Sequence, residues 1–244
     1  MKLESPIIKA NIQNLTSLWQ EAGRAYQSYY SFSGFDYCLI QNSDWPNRLW
    51  FNEPLDKEKM DLAFQKVLSI SPGLILPHWY TKEQGVSPWL DTYGFSLLFN
   101  QIGMSLELGS KFQRTGNLVM KRASSKPECQ IWSDLFKAAF GYRINPDILG
   151  KIGHTVRFYL AYHDDVPIGT GIIHNSKDIA GIHGVGVIPE ARGNGYARQI
   201  MGALINEAID DGSALATLQA SDMGKNLYLK MGFKEEFMIG NYVL

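Results

Sequence analysis

One stretch, residues 179–198, constrains this chain more than any other. Its first part alternates as a strand does and stops at Pro189, which has no N–H to give to a sheet ladder. A tight turn, Arg192-Gly193-Asn194-Gly195, then runs straight into a helical pattern. There Ala197, Ile200, Met201, Leu204, Ile205, Ala208 and Ile209 share one face at the 3.6-residue period. Such a turn gathers backbone N–H groups at the positive end of a helix dipole, which makes an anion site well matched to a diphosphate. Gly181, Gly184 and Gly186 weaken the strand itself, because glycine packs nothing and loses the most entropy on ordering. Three of them predict that something approaches the strand backbone closely.

Other phosphate loops fit less well. A dinucleotide fingerprint, Gly-x-Gly-x-x-Gly, requires glycine where Arg198 stands, and usually belongs to an early βαβ unit. A Walker loop requires Gly-Lys-Ser/Thr, which does not occur here. A strand, turn and helix that bind nothing is the remaining reading of this segment alone.

At these residues the chain resembles the GNAT superfamily of acyl-CoA-dependent N-acyltransferases. That family's turn reads Arg/Gln-x-x-Gly-x-Gly/Ala, matched by Arg192, Gly195 and Ala197. The resemblance implies acetyl-CoA as cosubstrate, with its diphosphate on the amides of Gly193, Asn194, Gly195, Tyr196 and Ala197 and with Arg192 beside it. It also implies a pantetheine arm along the preceding strand, with main-chain contacts at Val185 and Val187. A second segment agrees and follows in the correct order: Leu227-Tyr228 and then Gly232-Phe233 match the family's Leu-Tyr-x-x-x-Gly-Phe. Ser221 stands where many relatives have Asn or Ser near the pantetheine.

The chemistry implied is attack of an amine on a thioester. A phenol, pKa about 10, stays protonated at neutral pH while a thiol leaves with a pKa of about 8.5, so Tyr228 suits the general acid. The developing oxyanion needs donors already in place, a part the resemblance gives to the backbone amide of Val185. An amine of pKa about 10.4 arrives protonated, and His183, directly or through a water, is the candidate base. The family's commoner acidic base is missing, since the nearby position is Gly181. Asp222 is a weaker candidate. The plain alternatives are a structural strand histidine and a core tyrosine.

Residues 118–244 read, from pattern alone, as β-α-α-β-β-β-α-β-α-β, an order that also resembles the GNAT fold. The expected fold class is therefore α/β (α+β), a mixed, mostly antiparallel twisted sheet flanked by helices in residues 113–244. A smaller related α/β domain is expected in residues 1–112. There the patterns predict a helix over 13–30, strands at 36–41 and 48–51, a helix over 57–68 and a buried strand at 73–80. The run Gly94-Phe95, Phe99, Met104 and Leu106 matches Gly232-Phe233, Phe237, Tyr242 and Leu244 at identical offsets, which suggests a duplicated, degenerate half. That half has no Arg-x-x-Gly turn and is not expected to bind the cofactor.

With 45% hydrophobic and 19% charged residues among 244, the chain can bury a sizeable core. A net charge of −1 argues against nucleic acid as a partner. No apolar run reaches membrane-spanning length and the start lacks a signal-like segment, so no membrane and a cytoplasmic setting are expected. Cys38 and Cys129 have no metal-ligand spacing with one another or with the five histidines, and no metal is expected. The partners expected are acetyl-CoA and an amine-bearing acceptor, and a homodimer stays open. An acyl-CoA-binding regulatory module without chemistry is the second functional reading.

Overall fold

Proline and capping chemistry decide where the helices begin. The computed structural model describes residues 3–70 and 73–244. Helix α4 (Lys126–Phe140) starts behind a capping box, in which Ser125 N donates to the Glu128 carboxylate at 2.8 Å and Ser125 Oγ accepts from Glu128 N. Helix α5 (Pro146–Ile152) starts behind Asn145, whose Oδ1 accepts from Asp147 N at 3.0 Å. A proline in each first turn gives up an N–H that had no helical partner.

Helix α1 (Pro6–Ala25) departs from the expected 13–30 at both ends. Leu15, Leu18, Trp19 and Ala22 are buried as the stripe requires, but the same face continues upstream through Ile8, Asn11 and Asn14. Two fully buried asparagines interrupt the apolar stripe between Ile8 and Leu15, so the first two turns do not read as a continuation of it. Past the helix, β1 (Tyr29–Ser31) joins β2 (Phe35–Cys38) and β3 (Arg48–Phe51) in a small antiparallel sheet backed by α2 (Lys57–Ile70). The strand expected at 73–80 is shorter, β4 (Leu76–Tyr80), and lies at a sheet edge, where Pro77 forfeits no central ladder bond.

The main sheet has eight strands. They are β4, β5 (Ser96–Glu107), β6 (Val119–Arg122), β7 (Val156–His163), β8 (Val166–Ser176), β9 (Ile179–Val187), β10 (Leu215–Ala220) and β11 (Lys234–Val243). Their order is β4-β11-β5-β10-β9-β8-β7-β6, and among the described residues only β9 and β10 run parallel. Alternation along β7 divides the core. Phe158 and Leu160 face α1, α4 and α5 with Trp19, Trp132 and Phe136, while Tyr159 and Ala161 face α6 (Tyr196–Asp210) with Ile200, Leu204 and Ile205. Both cysteines are free and buried, and among the described residues no helix is long and apolar enough to cross a membrane.

The suspected repeat has a counterpart in hydrogen bonds. After α3 (Pro88–Thr92), Phe95 N donates to Leu90 O; after α7 (Asp222–Lys230), Phe233 N donates to Tyr228 O, both at 3.0 Å. Gly94 N to Asp91 O and Gly232 N to Leu229 O repeat the match. Strand β5 lies between β10 and β11, and its antiparallel pairing with β11 centres on Gln101 opposite Ile239. Those two residues have the same spacing as Gly94 and Gly232. Each strand bulges once, skipping Leu98 in β5 and Glu236 in β11, and these residues again have that spacing.

Candidate functional site

Strands β9 and β10 pair only at Ile179–Leu215, Ala180–Ala216 and Gly181–Thr217, and then separate. Two residues beyond the last pair, His183 and Gln219 are bridged by side chains instead of backbone. One arm of this fork continues as the rest of β9 and the glycine turn, and the other as Ser221 and α7. The topology thus brings the two sequence motifs to the mouth of one opening.

Within the β9 arm the ladder is broken on both sides. Thr170 pairs with Gly186 and Ile172 with His183, so Gly184 and Val185 have no partner residue in β8, and β10 has already diverged. Gly184 holds φ at +56°, and its carbonyl accepts from Thr170 Oγ1 at 2.8 Å. Val187, opposite Gly169, is buried, and Val185 is half-buried against the α6 side. The strand glycines make room for the protein's own side chains. A methyl group at Gly181 would overlap Asn14 Oδ1, and one at Gly186 would overlap Phe140 and Ala139. The close approach expected from the sequence is therefore that of α1 and α4.

The turn faces solvent. Gly193 and Gly195 take φ of +83° and +74°, the left-handed region that favours glycine, and a methyl group at either would meet nothing within 4 Å. Backbone conformation, not space, selects these glycines. Helix α6 starts without a side-chain cap, and no acceptor among the described residues takes the N–H groups of Gly193, Asn194, Gly195, Tyr196 or Ala197. Arg192 is occupied elsewhere, with Nε donating to Val187 O at 3.1 Å and Nη2 to Ala139 O at 2.9 Å. It fastens the turn to β9 and α4. Asn194 Nδ2 braces the turn from inside on Ala191 O and Arg192 O. Tyr196 leans on His163 with ring centroids 5.0 Å apart, and Ala197 packs into the α6 core.

On the other arm Ser221 is the N-cap of α7, its Oγ accepting from Gly224 N at 3.3 Å. Asp222 follows as an exposed acid in the first turn. Tyr228, one helical turn past Gly224, lays its ring over that glycine and meets Phe233 edge-on at 5.9 Å. Its hydroxyl has no hydrogen-bond partner among the described residues, and burial pushes its pKa up to about 12.

His183 has both ring nitrogens engaged, Nδ1 with Gln219 Oε1 at 3.0 Å and Nε2 with Asn14 Oδ1 at 3.1 Å. Neither amide can turn over. Asn14 Nδ2 is held by His174 O and Ser176 Oγ, and Gln219 Nε2 by Asn11 Oδ1, whose own Nδ2 donates to Met104 O. Two fixed oxygens therefore face an imidazole that, when neutral, has one N–H to give. Burial first, and His174 second, lower its pKa to about 3, against a rise from the Gln219 bond. Sequence reasoning missed Asn11, Asn14 and Gln219. The one available signal was the pair of asparagines three apart, on the mostly apolar inward face of the helix.

The family model for the acetyltransferase (GNAT) family matches residues 124–233. No curated protein matches the chain in sequence. Among solved structures, a GCN5-related N-acetyltransferase from Kribbella flavida is similar over 96% of this chain and 95% of its own, with 16% identity and a TM-score of 0.71. One from Sphaerobacter thermophilus is similar over 86% and 76%, with 13% identity and a TM-score of 0.62. A tandem GNAT protein from the clavulanic acid biosynthesis pathway is similar over 86% and 78%, with 10% identity and a TM-score of 0.55. At these identities the likeness is one of fold.

Proposed function

Because residues 124–233 form a domain of the acetyltransferase (GNAT) family, we propose that the chain moves an acetyl group from acetyl-CoA to a primary amine in one ternary complex. The observation that carries this is the fork. Five unclaimed backbone N–H groups at the start of α6 and the unpartnered Tyr228 hydroxyl belong to its two arms. When bound, acetyl-CoA supplies an activated acyl thioester. The amides of Gly193 to Ala197 hold its diphosphate, and Arg192 and Asn194 keep that turn in shape. Val185, unpaired on both sides, offers its N–H where negative charge grows, and Val187 holds the pantetheine through its main chain. Ser221 anchors α7 and with it Tyr228, which at a pKa of about 12 is protonated and gives its proton to the departing thiolate.

His183 is assigned the amine's proton. It is neutral at pH 7 and so can accept, and an imidazolium would suit the two amide oxygens, but burial and His174 hold its pKa at about 3 and oppose that protonation. Asn14 or Gln219 must shift for the proton to reach it, and this same engagement favours the second reading, an acyl-CoA-binding module without chemistry. Residues 1–112 are proposed to be a diverged copy of 113–244, supported by the matched turns and bulges. In that copy Leu90 replaces Tyr228, so it has no acid.

Two measurements separate the readings. Acetyl-CoA is expected to raise the melting temperature, as any ligand of the native state must, and thiol release is expected with a panel of amines. Tyr228→Phe should then slow release by about 10²- to 10⁴-fold. Binding without release for any amine would favour the module, and no stabilisation at all would refute both readings.

A further inference from the structure

Arg48, in β3, is only 7% exposed, and its guanidinium makes no hydrogen bond or ion pair among the described residues. Nη1 is closed off from solvent without an acceptor. Two residues along the same strand face, Trp50 Nε1 is buried and unclaimed as well. The guanidinium lies 5.3 Å from the Trp19 ring centroid, and Trp19 and Trp50 are themselves 5.3 Å apart. An aromatic face offsets part of the desolvation of a cation but accepts no N–H in the plane of the fork. The other neighbours are neutral: burial holds the Tyr142 phenol and the Cys38 thiol above their usual ranges. The acids on flanking segments are engaged elsewhere. Asp36 accepts from Tyr29 Oη at 2.8 Å and Ser31 Oγ at 2.7 Å, and Asp44 accepts from Arg143 N at 2.7 Å.

A buried, unpaired guanidinium beside a second orphaned donor is the complement of a planar anion. Its position suggests which one. Tyr142, in the connection between α4 and α5, meets Phe136 edge-on at 5.0 Å. Phe136 in turn lies against Gly184, in the bulge of β9. Phe136 and Tyr142 thus lead from the break in the signature strand towards Arg48, whose charge acts on the Tyr142 phenol. We propose that Arg48 is the carboxylate anchor of the acceptor, so that the substrate class is an amine that also carries a carboxylate. This rests on the acetyltransferase reading above.

The test uses the full chain, acetyl-CoA and a panel of free L-amino acids with their matching carboxamides. For the best amino acid, kcat/KM should exceed that of its carboxamide on the order of a hundredfold. Arg48→Met should close the gap to about threefold. Arg48→Lys, which keeps the charge without the fork, should fall between. Without ligand, Arg48→Met should melt above the wild type, because an apolar side chain replaces an uncompensated buried charge. A variant that melts lower would mean that Arg48 serves the fold, and equal treatment of acid and amide by the wild type would overturn the anchor. If no amine releases thiol, the acetyltransferase reading fails, and the anchor is judged by binding. The same amino acids must raise the melting temperature of the wild type and not of Arg48→Met, or the anchor fails too.

Discussion

A single proton divides the possible behaviours of His183. Its two amide oxygens favour the imidazolium, while burial and His174 favour the neutral ring. Burial wins because neither amide carries a net charge. The folded-state pKa of about 3 therefore lies below the unfolded value of about 6.5. Between those values the unfolded chain binds a proton that the folded chain refuses, so stability falls as pH drops from about 6.5 towards 3, by at most about 1.4 kcal/mol per pH unit from this group. Melting temperatures from pH 7 to 4 should fall less steeply for His183→Gln than for the wild type. A wild type that gained stability relative to the variant on acidification would show that the amide oxygens outweigh burial. The sequence displayed His183 as a lone strand histidine. It could not display the partners, because Asn14 and Gln219 reach the ring only through tertiary packing.

Elements whose signals are local were legible. The order β6-α4-α5-β7-β8-β9-α6-β10-α7-β11 follows from periodicity and caps, and the left-handed turn before α6 from its two glycines. Elements whose placement depends on partners were not. The first turns of α1 face the sheet with asparagines, and nothing in β5 announces that it inserts between β10 and β11. Arg192 shows the same limit in one side chain: the motif is legible, its commitment to Val187 and Ala139 is not. The turn itself makes a clear prediction. Gly195→Ala puts a side chain at φ +74° in open space, so only backbone strain of about 1 kcal/mol opposes it. Acetyl-CoA should bind roughly tenfold more weakly by calorimetry if the loop relaxes out of that conformation. Unaltered affinity would mean that the amides of this turn do not hold the diphosphate.

At the scale of the whole molecule the two halves are interlocked, not merely joined. β5 supplies the strand on which both β10 and β11 pair, and α1 lays Leu15, Trp19 and Ala22 on the core that α4 and α5 share. Residues 113–244 alone keep both sequence motifs but lose β5 and α1. The inner edges of β10 and β11 would then present unpaired N–H and C=O groups, an invitation to pair with other chains. Buried apolar side chains such as Trp132 and Phe136 would lose cover, far more than a domain of marginal stability can give up. The 113–244 fragment should therefore be aggregated or lack a cooperative melting transition, and co-expression with residues 1–112 should restore one. A fragment that stayed monomeric, melted cooperatively and was stabilised by acetyl-CoA would show that the C-terminal half closes its own sheet. In that case the symmetric pairing around Gln101 and Ile239 would be a consequence of the two halves' docking and not a condition of folding.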